Sequence, residues 1–237
     1  MRAFRRLVLV ATLAGLLSGA LVTFLHQALS VPLILRAEAL EAAMASQAGA
    51  LPVADLHGPL ARLASTALMQ SLAAIGFSLL LLSASTVSRS TLDARRGFAW
   101  GLAGFAVFFL APALGLPPTL PGTEDASLQA RQLWWLLTVL LTGAGLAMAV
   151  FGRFWMLQLP GVLLVLLPHI IGAPQPRHHV SLAPTEWTWA FVSAAALGNL
   201  LFWLALGALT GFFHARTREE PRAMNALAAR SGASRRH

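Results

Sequence analysis

Six long apolar runs, separated by short arginine-bearing breaks, constrain this chain more than any other feature. Inside hydrocarbon there is no water to satisfy a backbone, so only helices and closed barrels cross it, and about 20 apolar residues make one helical crossing. The runs fall at about residues 7–29, 64–87, 97–116, 133–151, 154–171 and 187–213. At roughly 1.5 Å per residue, about 19 residues cover about 28 Å, close to the thickness of the hydrocarbon core. The expected fold is therefore all-α: a polytopic inner-membrane bundle of about six transmembrane helices, forming a single domain over residues 1–213. A polar outer loop (30–63) and an arginine-rich cytoplasmic tail (214–237) complete it.

The first run follows Arg2, Arg5 and Arg6. It is longer than the apolar core of a cleaved leader, about 7–15 residues, and has no clean A-x-A exit, so it reads as a retained span. Composition agrees with the membrane reading: 57% of residues are hydrophobic and 11% charged, where a soluble domain carries about 25% charged residues. With no cysteine, disulfides, thiolate metal sites and thiol catalysis are excluded. All 17 basic residues are arginine, so no P-loop lysine exists to hold a nucleotide. No Ser/His or Asp pair stands at catalytic spacing in the runs, and an enzyme is not expected.

The arginines lie between and beyond the runs, a pattern of topology rather than of nucleic-acid binding. With six crossings, only Arg36, Arg62, Arg131 and Arg177 fall opposite the N-terminus, and the positive-inside rule puts both termini in the cytoplasm. Acids divide the other way, with Glu38, Glu41, Asp55, Glu124, Asp125 and Glu186 outside and Asp93, Glu219 and Glu220 inside. His26, His57, His169, His178 and His179 lie at or beyond the outer face. Ligands for a cation thus collect where an imported cation would arrive, although arginine-poor outer loops must also be polar somehow.

Glycine and proline mark the helices. Gly15 with Gly19, Gly207 with Gly211, and the stripe Gly97, Gly101, Gly104 suit close helix packing. Pro32 can open a helix; Pro112 and Gly115 should loosen the end of the third run before Pro117 and Pro118 stop it, and Pro160 predicts a kink. Gly152 and Arg153 alone part the fourth and fifth runs, which reads as a tight hairpin. Trp134 and Trp135 are the expected interfacial aromatics. A weak hairpin repeat joins the ends of the third and fifth runs, Gly115-x-Pro117 matching Gly172-x-Pro174. Broken helix ends in corresponding positions point to a transport site in carriers built from repeats.

Five blocks carry a family resemblance: V-P-L-I-L-R-A-E (Val31 to Glu38), D-A-R-R-G-F-A-W-G-L-A-G-F (Asp93 to Phe105), L-A-P-A-L-G-L-P-P-x-L-P-G (Leu110 to Gly122), A-R-Q-L-W-W (Ala130 to Trp135) and L-P-H-I-I-G-A-P-Q-P (Leu167 to Pro176). On these the chain resembles the CbtA proteins, described as the larger subunit of a probable cobalt transporter. The resemblance implies import of cobalt(II) beside a small single-span partner bearing terminal histidines. The histidine-rich outer loop common in the family is reduced here to His57.

Cobalt(II) and nickel(II) accept imidazole nitrogen and carboxylate oxygen, the strong side-chain ligands this chain offers. His169, at a membrane boundary between Pro168 and Gly172, is the first candidate ligand. It binds metal only when neutral, so uptake through it should weaken as acid protonates it. Pro168 and Gly172 could free backbone carbonyls to strip the ion's water. Glu38 and Glu41, then Glu124 and Asp125, are the expected companions, and Arg131 and Gln132 are expected to order an outer gate. His169 could also be a helix-end imidazole bonded to a carbonyl, or a proton-coupling group. His178 and His179 read as a solvated loop pair. No permanently bound cofactor is expected, the bilayer is the main surroundings, and self-association is left open. The competing reading is a non-transporting scaffold that stabilises a partner permease.

Overall fold

Two prolines set the points at which the first half of the chain departs from a regular α-helix. In the computed structural model, which describes residues 1–47, 58–88, 91–178 and 180–234, helix α1 (Arg2–Leu25) passes through a π-helical turn (His26–Ser30) into α2 (Val31–Gln47). The Val31 N–H bonds the His26 carbonyl, five residues back, directly before Pro32. A proline ring would collide with the carbonyl four residues earlier, and widening the turn gives it room without breaking the rod. The same device recurs: α4 (Ala94–Phe105) passes through a π turn (Ala106–Leu110) into α5 (Ala111–Gly115), with the Ala111 N–H on the Ala106 carbonyl and Pro112 next. The loosening expected at the end of the third run is thus real but sits one turn earlier.

The remaining helices are α3 (Pro59–Val87), α6 (Leu128–Phe151), α7 (Trp155–Ile171) and α8 (Thr185–Ser234). Among the described residues, five helical stretches are long and apolar enough to cross a membrane: Phe4–Gln47, Pro59–Val87, Ala94–Gly115, Leu128–Phe151 and Thr185–Arg218. Trp155–Ile171, at 17 residues, is the sixth, shorter member, near the lower limit of about 17 residues for a crossing. Three boundaries differ from the sequence reading. The first apolar run does not give way to a loop at residue 30 but continues as helix to Gln47; α3 starts at Pro59 rather than 64; and the tail is helical to Ser234. Asp55, His57 and His179 lie outside the described residues.

Backbone contacts group the chain into two compact units. The first comprises Met1–Leu21, Ala67–Leu102 and Phe202–His237. There the expected glycine pairs meet helix backbone: a β-carbon at Gly15 would lie 2.6 Å from the Ile75 nitrogen, and one at Gly19 would lie 2.6 Å from Ser71 Cα. On α4 and α8, Gly97 faces the Gly207 carbonyl, and Gly101 the carbonyl of Trp203, so close that neither admits a methyl group. Val10, Ala11, Leu82 and Leu92 form the apolar core, and a buried hydrogen bond of 2.8 Å joins Ser78 to Thr210.

The second unit comprises Val22–Thr66 and Ala103–Leu201 and carries the candidate ligands. Here α6 and α7 pack as a hairpin through Gly145 and Gly161, each against the other's carbonyl. Ala37, Leu120, Ala183 and Phe191, with Leu33, Ile34 and Trp187, form an apolar cluster that seats α2 against the loops after α5 and α7. Those loops are tied to each other by an antiparallel bridge between Thr123 and Ser181, with Glu124 N–H on the Val180 carbonyl at 2.9 Å and Leu182 N–H on the Gly122 carbonyl at 3.2 Å. Gly122 holds φ of 76° to make that tie, a region open to glycine at no steric cost.

Candidate functional site

Helix α7 stops because of its glycine. Gly172 has φ 88° and ψ 148°, which glycine alone adopts without strain, and its N–H bonds the Pro168 carbonyl at 3.0 Å. The Pro168 oxygen is thereby engaged in capping the helix. The chain then turns through Pro174, Gln175 and Pro176. Helix α5 ends likewise at Gly115, whose missing side chain admits the Trp134 ring: a β-carbon there would lie 2.7 Å from Trp134 Cζ2 and 3.0 Å from the Ala173 β-carbon.

These two broken ends face one another. Gly115, Leu116 and Pro117 on one side and Pro174, Gln175 and Pro176 on the other wall a cavity of about 170 Å³, closed by Thr119, Thr123, Glu124, Asp125 and Arg131. Of the residues matched in the weak repeat, Gly115, Pro117 and Pro174 line the cup and Gly172 does not. The volume of the cup leaves room for several waters, and so for a small ion keeping part of its hydration.

The charges around the cup are partly spoken for. Arg131 Nη1 bonds Asp125 Oδ2 at 2.6 Å, and Thr119 donates to the same oxygen at 3.1 Å. Glu124 Oε1 stands 4.0 Å from His178 Nδ1. His178, expected to be a bystander, thus stands beside one of these acids, while its side chain remains 77% exposed. Gln132 is exposed on the first turns of α6.

His169 lies elsewhere in the same unit. It is half-buried and meets Trp134 edge-on, the ring centres 6.0 Å apart and the planes at 72°. Trp134 was legible only as an interfacial aromatic, yet it is 6% exposed and its indole N–H finds no protein acceptor. Below it on α6 come Thr138, which back-bonds to the Trp134 carbonyl at 2.8 Å, and Thr142, whose buried hydroxyl has no protein partner. The spacing Arg131, Trp134, Thr138, Thr142 is one helix face, the signal that could have found this stripe.

Glu38 belongs to a separate contact. Arg62 Nη1 bonds both its carboxylate oxygens, at 3.3 and 3.1 Å, each side chain being a little over a third exposed. Glu41 is exposed on α2. Among the described residues no three His, Asp or Glu side chains converge as a ready metal cage. The expected ligands therefore fall into three places: the Glu38 contact, the cup with Glu124 and Asp125, and His169 against Trp134.

A family model described as "Probable cobalt transporter subunit (CbtA)" matches residues 4–215. The chain belongs to the CbtA family. Neither the curated proteins nor the solved structures gave a match. The CbtA match takes in α1 through the apolar part of α8, and so includes both cup walls, His169 and Trp134. This CbtA-family chain is accordingly a multi-pass membrane protein of a family of transporter subunits, and cobalt is the ion that the family description names.

Proposed function

We propose that the chain is the membrane subunit of a divalent-cation importer, with cobalt(II) or nickel(II) as the transported substrate, and that the cup between the two broken helix ends is where the ion is first held. The observation that carries this reading is the meeting of Gly115–Pro117 and Pro174–Pro176 around a cavity whose lining includes Glu124 and Asp125, with His178 Nδ1 4.0 Å from the Glu124 carboxylate. Irregular backbone at membrane depth is tolerated where it lines a water-filled cavity, and carriers built from repeats place such breaks at their sites. Glu124 supplies a free carboxylate next to an imidazole. Asp125 is held by Arg131, so an arriving dication competes with a guanidinium for it, which makes Arg131 the gate. His169, near Trp134, is the next nitrogen ligand on the inward path, with Pro168 and Gly172 fixing where its helix ends. Glu38 and Glu41 on α2 serve as an outlying anionic field rather than as ligands of the same ion. Both termini are cytoplasmic in the inner membrane, by the arginine distribution, and a small single-span subunit bearing histidines is the partner.

The test is uptake of cobalt into vesicles bearing the chain with its partner. Glu124→Gln with Asp125→Asn should cut uptake at least tenfold, and His169→Ala should do so independently. Uptake unchanged in both variants would sink the proposal. The scaffold alternative drew on the small-residue stripes; Gly15, Gly19, Gly97, Gly101 and Gly207 are engaged within the chain, and so lend it no support.

A further inference from the structure

The start of α1 and the last apolar turn of α8 carry a cluster that transport through the cup does not use. His214 is 9% exposed, and its Nδ1 is enclosed without a protein partner. Among the described residues, Arg6 reaches α8 through a long contact, Nη1 to the Thr217 carbonyl at 3.4 Å, while its Nε–H is likewise enclosed and unpartnered. Arg218 stands one turn beyond His214 on the same helix, and its side chain is exposed. Among the described side chains, no carboxylate forms an ion pair with any of the three. Glu219 and Glu220 follow, with side chains outside those described.

A guanidinium does not discharge by losing its proton, so enclosing its donors without an acceptor is costly. What complements two guanidinium groups and an imidazole is an anion with several acceptor oxygens in a compact shape, and the planar fork of arginine fits phosphate two bonds at a time. The place also suits one. His214 directly follows the apolar run, Phe4 and Leu9 nearby on α1 are 73% and 53% exposed, and Arg216 lies 4.7 Å from the centre of the Phe212 ring. Headgroup phosphates lie at that level of a bilayer.

We propose that Arg6, His214 and Arg218 bind a phosphate group, presented by an anionic lipid headgroup or as free phosphate. The site is independent of the cup and stands whether or not the cup binds metal. The test uses the full chain in nanodiscs of phosphatidylcholine. One arm adds labelled phosphatidylglycerol; the other adds inorganic phosphate alone. Saturable binding is expected in at least one arm, the first identifying a lipid source and the second a free one. Arg6→Gln and Arg218→Gln should each weaken it by about tenfold or more, the scale of one lost charge-assisted hydrogen bond. Arg153→Gln, which removes the same charge from the loop before α7, should change it less than about twofold. If Arg153→Gln weakens binding as much as the others, the attraction is general and the proposal falls. It also falls if Arg6→Gln and Arg218→Gln leave binding intact, or if the native chain is silent in both arms.

Discussion

Gly207 and Gly198 lie on the same helix, α8, and replacing each by alanine separates packing from propensity. A β-carbon at Gly207 would overlap the Gly97 carbonyl and stand 2.7 and 2.8 Å from the Gly101 nitrogen and Cα, whereas one at Gly198 meets nothing within 4 Å. Carbon atoms in comfortable contact sit about 3.5–4.0 Å apart, so α4 and α8 must part by at least roughly 0.7–1.3 Å to admit the methyl group. The obstructing atoms are backbone and cannot rotate away. Overpacking of this kind costs about 1–3 kcal/mol, while the gain in helix propensity, at most about 1 kcal/mol, is common to both sites and cancels in the comparison. Gly207→Ala should therefore be less stable than Gly198→Ala by about 1–3 kcal/mol, measured by loss of helical dichroism as sodium dodecyl sulfate is added to the chain in mild detergent. Equal stabilities, within about 0.5 kcal/mol, would refute the close α4–α8 crossing and with it the reason for glycine at 97, 101 and 207.

Gly172→Ala should destabilise by about 1–3 kcal/mol through backbone conformation alone, since φ is 88° and the space beside it is open; the same detergent titration checks this. Ser78→Ala and Thr210→Val, taken singly and together, should give a coupling energy of about 0.6 kcal/mol, the usual size of a hydrogen bond between membrane helices, and additive effects would deny that bond. Arg131→Gln should tighten cobalt(II) binding at the cup several-fold by releasing Asp125, read by calorimetric titration, whereas Asp125→Asn should weaken it; the opposite order would remove Arg131 from the gate. Gly115→Ala should reduce cobalt uptake as well as stability, because Gly115 lines the cup and its methyl group would push against the buried Trp134 ring.

The fold was legible because a bilayer enforces so much. Six runs of apolar residues meant six helices, and glycine spacing pointed to the crossings at Gly15, Gly19, Gly97 and Gly207. The continuation of α1 into α2 was not legible: Pro32 reads as a helix opener, and only a widened turn, which has no sequence signature of its own, lets it sit inside a helix. The candidate site was half visible. Proline and glycine near the ends of the two runs pointed toward the walls of the cup, but which acids stand beside which bases depends on how loops and helices meet in space. Asp125 went to Arg131, Glu124 to His178 and Glu38 to Arg62, none of which periodicity can reveal. Trp134 was misplaced for a related reason. A tryptophan near a span end is usually an anchor at the headgroups, and its burial depends on Gly115 arriving from another helix.

The bridge between Thr123 and Ser181 works as a cross-tie beside the cup, which Thr123 also lines. With the Glu124 and Leu182 amides both engaged across it, the two loops are stitched into a single lip. On the proposed reading, an ion entering past this lip cannot spread it like a pair of jaws without first unstitching it. What would yield on entry is then a side chain, the Arg131 fork, or the lip swinging as a whole on the ends of α5 and α7. Amide hydrogen exchange at Glu124 and Leu182 tells these motions from unstitching, since slow and equal exchange at both, with or without cobalt, is the mark of a lip that travels intact.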